Sequence, residues 1–170
     1  LIQGIEKGFY NDGNLKYEKI YDKNVINGNE KIYYPSGKTL TEKKYSNGII
    51  NGLEINYYEN RNISFKINYI NGLKQGDAVG YYKSGEKHHS TSFKDNVKHG
   101  KEINFYKNGN LRSRCDYVMG IKNGACEFFY LSGKPKISTD FFKGFKNGKE
   151  IGFFENGKEK FIRNYSNGLL

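Results

Sequence analysis

The sequence predicts an all-β fold, an elongated single-layer antiparallel meander of seven 24-residue β-hairpin repeats, twisted or rolled along its length. Three observations predict it. A glycine recurs every 24 residues without insertion, three aromatic columns keep the same period, and short turn dipeptides ending in glycine separate two of these columns in nearly every repeat. Self-similarity at such a period is typical of a repeat array of about 14 strands rather than of a globule.

The recurring glycine sets the boundaries of one array, with no linker and no second domain. We expect little or no helix, because no segment has apolar residues at sustained helical spacing. The opening glycines are Gly4, Gly28, Gly52, Gly76, Gly100, Gly124 and Gly148. The repeats are therefore 4–27, 28–51, 52–75, 76–99, 100–123, 124–147 and 148–170.

Aromatic residues fill three columns in every repeat. Because aliphatic residues are few, these rings are the main material for a core. We expect the second and third columns to pack in the core and the first to form a partly exposed ladder. The first column is Phe9, Tyr33, Tyr57, Tyr81, Phe105, Phe129 and Phe153. The second is Tyr10, Tyr34, Tyr58, Tyr82, Tyr106, Tyr130 and Phe154. The third is Tyr21, Tyr45, Tyr69, Phe93, Tyr117, Phe141 and Tyr165.

A tight turn follows the second aromatic column. Asn108-Gly109 suits a two-residue hairpin loop with positive φ at both central positions. In the third repeat Asn60-Arg61 replaces such a dipeptide, and we expect a distorted or lengthened turn there. A looser turn, rich in Asn and Gly, joins each repeat to the next. The two-residue loop predicts the facing pairs Tyr106–Leu111, Phe105–Arg112, Asn104–Ser113, Glu102–Cys115 and Gly100–Tyr117.

This register pairs the repeat glycine with the third aromatic column and places acids opposite bases. A glycine opposite a ring lets the ring lie over bare backbone, which explains the glycine column. Each acid–base pair contributes roughly 0.2–1 kcal/mol across the strands. We therefore interpret the glutamates as sheet-stabilising residues and predict no catalytic residue. The pairs are Glu6–Lys19, Glu30–Lys43 and Glu150–Arg163.

The pattern Gly-x-Glu-x-x-Tyr-Tyr-x-x-Gly, followed by an aromatic residue and Asn-Gly, resembles the MORN repeat, in particular the bacterial MORN variant of YwqK-like antitoxins. The resemblance covers essentially the whole chain. It implies a meander of stacked hairpins that acts as a binding or scaffolding module, with antitoxin-like neutralisation of a partner as one form. The chain departs from the pattern at Arg61, Ala78 and Cys126. No kinase motif is present, so a kinase name borne by repeat relatives has no basis in these residues.

The composition is polar and basic. The chain has a formal net charge of +10 and a mean hydropathy of −0.82, which favours anionic partners or a solvated lysine-rich surface. No apolar run approaches the ~20 residues that span a bilayer. Since the chain begins at Leu1 rather than Met, we interpret it as a trimmed fragment and assign no compartment.

Histidines and cysteines could hold a metal or form a disulfide. His88 and His89 are adjacent in a predicted strand, so we expect them to point to opposite faces and not to share an ion. With His99 in the following turn, we predict no metal site and no cofactor. Cys115 and Cys126 face each other if the loop between them closes in register, either as a disulfide or as two thiols. The close spacing of adjacent strands favours two thiols.

Basic residues fall in two rows, and these rows with part of the first aromatic column are the candidate binding residues. An electrostatic footprint for anionic surfaces and a lysine-rich edge that keeps strands from aggregating both explain such rows. The first row, at one turn position, is Lys74, Lys98, Lys122 and Lys146. The second, on the strand face, is Lys16, Arg112, Lys136 and Lys160, with His88 in register. The aromatic candidates are Phe105 and Phe129.

We therefore predict a non-catalytic repeat scaffold that binds another macromolecule, with a protein as the partner. The alternative is peripheral binding to an anionic phospholipid membrane through the lysine-rich edge, which should weaken as salt rises. The aromatic residues are needed for the sheet, which argues against a nucleic-acid partner. An open single-layer repeat rarely forms the cleft that an enzyme or a small-molecule site needs.

Overall fold

The computed structural model describes every residue from Leu1 to Leu170 and contains β-strands and turns but no helix. All strand pairings described below are antiparallel, so the predicted all-β hairpin meander is confirmed. The strands are β1 (Gly4–Phe9), β2 (Leu15–Asp22), β3 (Val25–Tyr33), β4 (Thr39–Ser46), β5 (Ile49–Ile50), β6 (Gly52–Tyr57), β7 (Ile63–Ile70), β8 (Leu73–Tyr81), β9 (Lys87–Lys94), β10 (Val97–Phe105), β11 (Leu111–Val118), β12 (Ile121–Phe129), β13 (Pro135–Phe142), β14 (Phe145–Phe153) and β15 (Glu159–Tyr165).

The strands belong to two compact halves, Leu1–Gly85 and Glu86–Leu170. In the N-terminal half the sheet order is β1-β2-β3-β4-β6-β7-β8, with the two-residue strand β5 also paired with β4. In the C-terminal half the strands β9 to β15 lie side by side in chain order. Strands that are neighbours in sequence pair because short turns join them. The division into seven repeats of one domain stays a prediction.

The tight turns are three-residue loops, which corrects the predicted two-residue loop. Between β10 and β11, the backbone N–H of Tyr106 donates to the carbonyl of Asn110 at 2.8 Å, and the N–H of Gly109 donates to the carbonyl of Tyr106 at 2.9 Å. Gly109 has a φ of +85°, whereas Asn108 is not among the residues with positive φ. A type I turn followed by one left-handed residue has this form, so only the glycine position needs positive φ.

The extra loop residue shifts the strand register beside the turn. Phe105 lies opposite Leu111, so the predicted pairs Phe105–Arg112 and Tyr106–Leu111 are wrong. A bulge between Asn104 and Phe105 then restores the predicted register. Beyond the bulge, the structure confirms the pairs Asn104–Ser113, Glu102–Cys115 and Gly100–Tyr117.

The turn at Arg61 has the same hydrogen bonds as the glycine turns, so the expected distortion is wrong. The N–H of Tyr58 donates to the carbonyl of Asn62, and the N–H of Arg61 donates to the carbonyl of Tyr58, both at 2.8 Å. Arg61 itself adopts a φ of +71°. For a residue with a side chain, this left-handed conformation costs about 1–2 kcal/mol.

Backbone conformation, rather than a ring over bare backbone, explains the repeat glycines. Gly100 has a φ of +104° and lies in the bulge between Lys98 and Glu102 where β10 pairs with β9. A Cβ atom at Gly100 would meet Ser92, not the opposite ring of Tyr117. The predicted pairing of glycine with aromatic residue is therefore correct, but its predicted cause is wrong.

Two other glycines do lie beneath rings. A Cβ atom at Gly8 would lie 2.2 Å from Cε1 of Tyr17, and one at Gly152 would lie 2.3 Å from Cε1 of Phe161. Neither glycine has a positive φ. The close approach of the ring therefore requires glycine at these two positions.

Most buried positions of each half lie on one face of its sheet, and the buried residues are small or polar as often as they are apolar. Most rings of the three aromatic columns are half-buried, so the columns surround the buried positions. In the N-terminal half the buried residues include Glu30, Thr41, Ile67, Ala78 and Val79. In the C-terminal half they include Thr91, Ser113, Cys115, Cys126, Thr139 and Glu150.

Within each half, second-column tyrosines join consecutive repeats through their hydroxyl groups. Each of five hydroxyls donates to the backbone carbonyl of the first-column residue 23 positions later, and the donors are Tyr10, Tyr34, Tyr58, Tyr106 and Tyr130. The donor–acceptor distances range from 2.6 Å for Tyr10 to 2.9 Å for Tyr106. Because these carbonyls are part-buried, the hydroxyls satisfy acceptors that water reaches poorly.

Candidate binding surfaces

In the C-terminal half, lysine ion pairs and tyrosine hydrogen bonds compensate the charges of the glutamates on the buried face. Nζ of Lys98 lies 2.5 Å from Oε1 of Glu102, and the hydroxyl of Tyr117 donates to Oε2 at 3.0 Å. Burial alone would raise the pKa of Glu102, but these two hydrogen bonds lower it below its ordinary value. Burial and then the bond to Glu102 raise the pKa of Tyr117 to about 12. The tyrosine is therefore a fixed hydrogen-bond donor rather than a group that exchanges protons near neutral pH.

Glu150 repeats this arrangement 48 residues later. It accepts hydrogen bonds from Lys146, from the hydroxyl of Tyr165 at 3.2 Å and from Oγ1 of Thr139 at 3.2 Å. Arg163 lies opposite it in the register and forms an ion pair at 3.4 Å, as predicted. Removing the charge from Glu150 would deprive Thr139, Tyr165 and Lys146 of their charged acceptor.

The other predicted acid–base pairs are register partners but not all are ion pairs. Glu6 lies opposite Lys19, and Glu30 lies opposite Lys43. Nζ of Lys19 nevertheless lies 3.4 Å from Oε1 of Glu30, its partner on the other neighbouring strand. The glutamates thus stabilise the sheet across two strand pairs.

The first lysine row lies in strands, so its predicted turn position is wrong. Lys98 lies opposite Phe93, and Lys146 lies opposite Phe141, because the glycine bulges draw both lysines into the sheet. Nζ of Lys146 lies 4.7 Å from the ring centre of Tyr165. All four lysines of the row, Lys74, Lys98, Lys122 and Lys146, are half-buried. Their structural contacts leave less of each ammonium group for an external partner.

Lys122 has different neighbours from Lys98 and Lys146, because Cys126 occupies the position where the neighbouring repeats have glutamate. Cys126 forms a disulfide with Cys115, its direct partner in the register, across a Cα–Cα distance of 4.0 Å. The interpretation as two thiols is therefore wrong, since the loop does close in register. Nζ of Lys122 lies instead 5.1 Å from the ring centre of Phe141.

The second basic row is exposed and lies over the second aromatic column. In the C-terminal half, Nζ of Lys136 lies 5.4 Å from the ring centre of Tyr130, and Nζ of Lys160 lies 5.5 Å from that of Phe154. Such exposed cation–π contacts contribute about 0.5–1 kcal/mol and leave the charge accessible to solvent. The corresponding cations over Tyr10 and Tyr106 are Lys16 and Arg112.

The first aromatic column is not an exposed ladder. Phe105 and Phe129 are both half-buried, and the carbonyl of Phe129 accepts the hydroxyl of Tyr106 at 2.9 Å. Phe9, at 59% exposure, is the exception. Second-column hydroxyls of the preceding repeat bind the backbone of five members of this column, Tyr33, Tyr57, Tyr81, Phe129 and Phe153.

The histidine rings meet at the start of β9. The centres of the His88 and His89 rings lie 5.3 Å apart and their Nδ1 atoms 3.3 Å apart, so the expectation of opposite faces is wrong. Burial, and then His88, lowers the pKa of His89. His99 lies in β10 rather than in a turn, and its Nδ1 atom is buried without a hydrogen-bond partner.

An exposed apolar surface lies where the loose turns join β11 to β12 and β13 to β14. We call it the apolar edge, defined by Val118, Ile121, Phe142 and Phe145, which are 44%, 50%, 50% and 59% exposed. Met119, at the tip of the first turn, is 64% exposed. An open groove of about 250 Å³ runs along it, lined by Val118, Ile121, Asn123, Phe142 and Lys143.

The apolar edge is continuous because side chains from one repeat reach the turn of the next. A Cβ atom at Gly144 would lie 3.1 Å from Cγ2 of Ile121, and one at Gly168 would lie 3.2 Å from Cδ1 of Phe145. The N-terminal half has exposed apolar residues at the same repeat positions. They are Val25, Ile49, Ile70 and Leu73.

A family model described as the MORN repeat variant matches residues 2–23, 26–47 and 98–119. The chain therefore contains MORN repeats of this variant at these three positions. The third matched segment is the β10–β11 hairpin, with Glu102 and Tyr117 on its buried face. No curated protein matches the chain. The structure has no helix long and apolar enough to cross a membrane. The narrower assignment to YwqK-like antitoxins stays a prediction.

The apolar edge could have been predicted from the 24-residue repeat period. The first residue after the loose turn is apolar in each repeat. The charged and aromatic columns alone predicted candidate binding residues, and this apolar column was not among them. The column is Val25, Ile49, Leu73, Val97, Ile121, Phe145 and Leu169.

Proposed function

We propose that this MORN-repeat protein is a non-catalytic scaffold that binds another protein through the apolar edge. The observation that carries the proposal is the exposure of Ile121, Phe142 and Phe145 beside one open groove. Burial of apolar surface is favourable by about 25 cal/mol per Å², and contiguous exposed apolar patches are typical of interaction sites. MORN repeats are generally binding or scaffolding modules, and an antitoxin that neutralises a protein partner would be one such scaffold.

The placement of the charges supports a protein partner over a lysine-led membrane contact. Lys98 and Lys146 form ion pairs with glutamates of the sheet, so they contribute less to an external anionic surface. The tyrosines that donate to these glutamates, Tyr117 and Tyr165, likewise stabilise the sheet rather than bind a substrate. We therefore propose no catalytic activity for the chain.

Peripheral binding to an anionic membrane is the second candidate, and the second basic row favours it. Arg112, Lys136 and Lys160 are exposed at equivalent positions of three hairpins in the C-terminal half. Each basic residue near an anionic leaflet adds about 1 kcal/mol of attraction, which salt would screen. Loss of vesicle binding as salt rises would mark this mode.

The test is affinity purification of the tagged full-length protein from its source organism, with two matched variants. Phe145→Asp places a charge in the apolar edge, and Leu131→Asp places one at an equally exposed apolar residue beside a tight turn. We expect one stoichiometric protein partner with the wild type and with Leu131→Asp, and its loss with Phe145→Asp.

Vesicles containing anionic phospholipid provide the opposing measurement. If the chain is recovered only with lipid, or if Phe145→Asp retains the partner as fully as Leu131→Asp does, the proposal is wrong. Vesicle binding that disappears on replacement of Arg112, Lys136 and Lys160 by Gln would support the membrane candidate instead.

A further inference from the structure

The N-terminal half contains a cavity of about 340 Å³ beside the tight turn at Arg61. Cavities that hold small ligands typically measure about 300–1,000 Å³, so this one can hold a small chemical group. It lies apart from the residues of the apolar edge in sequence and belongs to a different half of the chain. Its lining residues are Gly37, Lys38, Thr39, Glu42, Tyr57 and Arg61.

The charges that line this cavity do not balance. Oε1 of Glu42 lies 3.1 Å from Nζ of Lys31, and Oε2 accepts the hydroxyl of Tyr57 at 3.2 Å, so the one carboxylate is already engaged. The side chains of Lys38 and Arg61 form no ion pair within the protein. The cavity therefore presents two positive charges that no acidic group of the chain compensates.

The turn brings Arg61 to the cavity at a conformational cost. The corresponding position is glycine in the other six repeats, at Gly13, Gly37, Gly85, Gly109, Gly133 and Gly157, each with positive φ. Arg61 accepts the same left-handed conformation with no gain in turn hydrogen bonds over glycine. Strained residues of this kind are concentrated at ligand sites.

We propose that this cavity binds the phosphoryl group of a phosphate monoester. Such a group carries a charge of about −1.5 to −2 at neutral pH, which matches the two cations, whereas a carboxylate would leave one of them uncompensated. The guanidinium fork of Arg61 suits two phosphate oxygens, and the Lys38 ammonium and Thr39 hydroxyl can donate to the remaining oxygen atoms. The inference does not depend on the proposed protein-binding function.

The test is a calorimetric and NMR titration of the full chain with phenyl phosphate, using benzoate as the carboxylate comparator. We expect phenyl phosphate to bind at least about tenfold more tightly than benzoate, with shifted signals at Lys38, Thr39 and Tyr57. Arg61→Gly should weaken phosphate binding about tenfold or more. It should also stabilise the fold, because glycine suits the left-handed position, so a loss of binding cannot be assigned to unfolding.

Two further variants complete the experiment. Lys38→Gln removes the second cation and should weaken binding severalfold, whereas Lys134→Gln changes the same repeat position beside Gly133 and should leave binding within about twofold. Unchanged affinity in Arg61→Gly or in Lys38→Gln would overturn the proposal. Equal affinity for benzoate and phenyl phosphate would overturn it as well, since the charge match would then have no effect.

Discussion

Removal of one second-column hydroxyl tests how consecutive repeats are joined. The hydroxyl of Tyr130 donates to the carbonyl of Phe153 at 2.7 Å in a part-buried position. Tyr130→Phe keeps the ring and removes only the donor. A hydrogen bond of this type contributes about 1 ± 0.5 kcal/mol, and the carbonyl left without a partner adds to the cost. We expect the free energy of unfolding to fall by about 1–2 kcal/mol.

The assay is urea unfolding followed by circular dichroism, with Tyr81→Phe as the matched control. The hydroxyl of Tyr81 has no hydrogen-bond partner in the structure, so its removal should change stability by less than about 0.5 kcal/mol. Tyr34→Phe, whose hydroxyl donates to the carbonyl of Tyr57 at 2.8 Å, should behave like Tyr130→Phe. If both variants were as stable as the control, the hydroxyl bonds would contribute nothing to the stability of the repeat array.

Three other predictions concern the buried face. The pKa of Glu150 is lowered in the folded state, so its carboxylate contributes stability above its ordinary pKa of 4.5, and this stability is lost as pH falls through the folded pKa. Glu150→Gln should therefore flatten that part of an acid unfolding curve. An unchanged curve would contradict this prediction. Gly152→Ala should cost about 1–3 kcal/mol because its Cβ would overlap the Phe161 ring, measured by urea unfolding, and Phe161→Leu should recover part of the loss. Reduction of Cys115–Cys126 should lower the free energy of unfolding by about 2–4 kcal/mol, and insensitivity to reductant would argue against the bridge.

The sequence specified the strand pairing well because the repeat period and the alternation of side chains act together. A shift by one residue would move Glu102 and Cys115 off the buried face, so the register is strongly determined away from the turn. Beside the turn the register is weakly determined, because Asn-Gly suits both a two-residue and a three-residue loop. The residues between Phe105 and Arg112 were misplaced for that reason.

The lysine positions could not be predicted, because they depend on bulges that the sequence pattern does not reveal. The positive φ of Gly100 lets β10 gain residues relative to β9, and this places Lys98 opposite Phe93 instead of in a turn. A glycine in a strand pattern is compatible with a bulge or with a ring passing over it. Gly100 is an example of the bulge, and Gly152 is an example of the ring passing over the backbone.

Amide hydrogen exchange on the purified protein with its bound partner tests the proposed binding surface most directly. We expect new protection at residues 118–121 and 142–145, where the apolar edge would be covered, and little change around Arg112, Lys136 and Lys160. Protection centred on those three basic residues, with the apolar edge still exchanging as in the free protein, would contradict it.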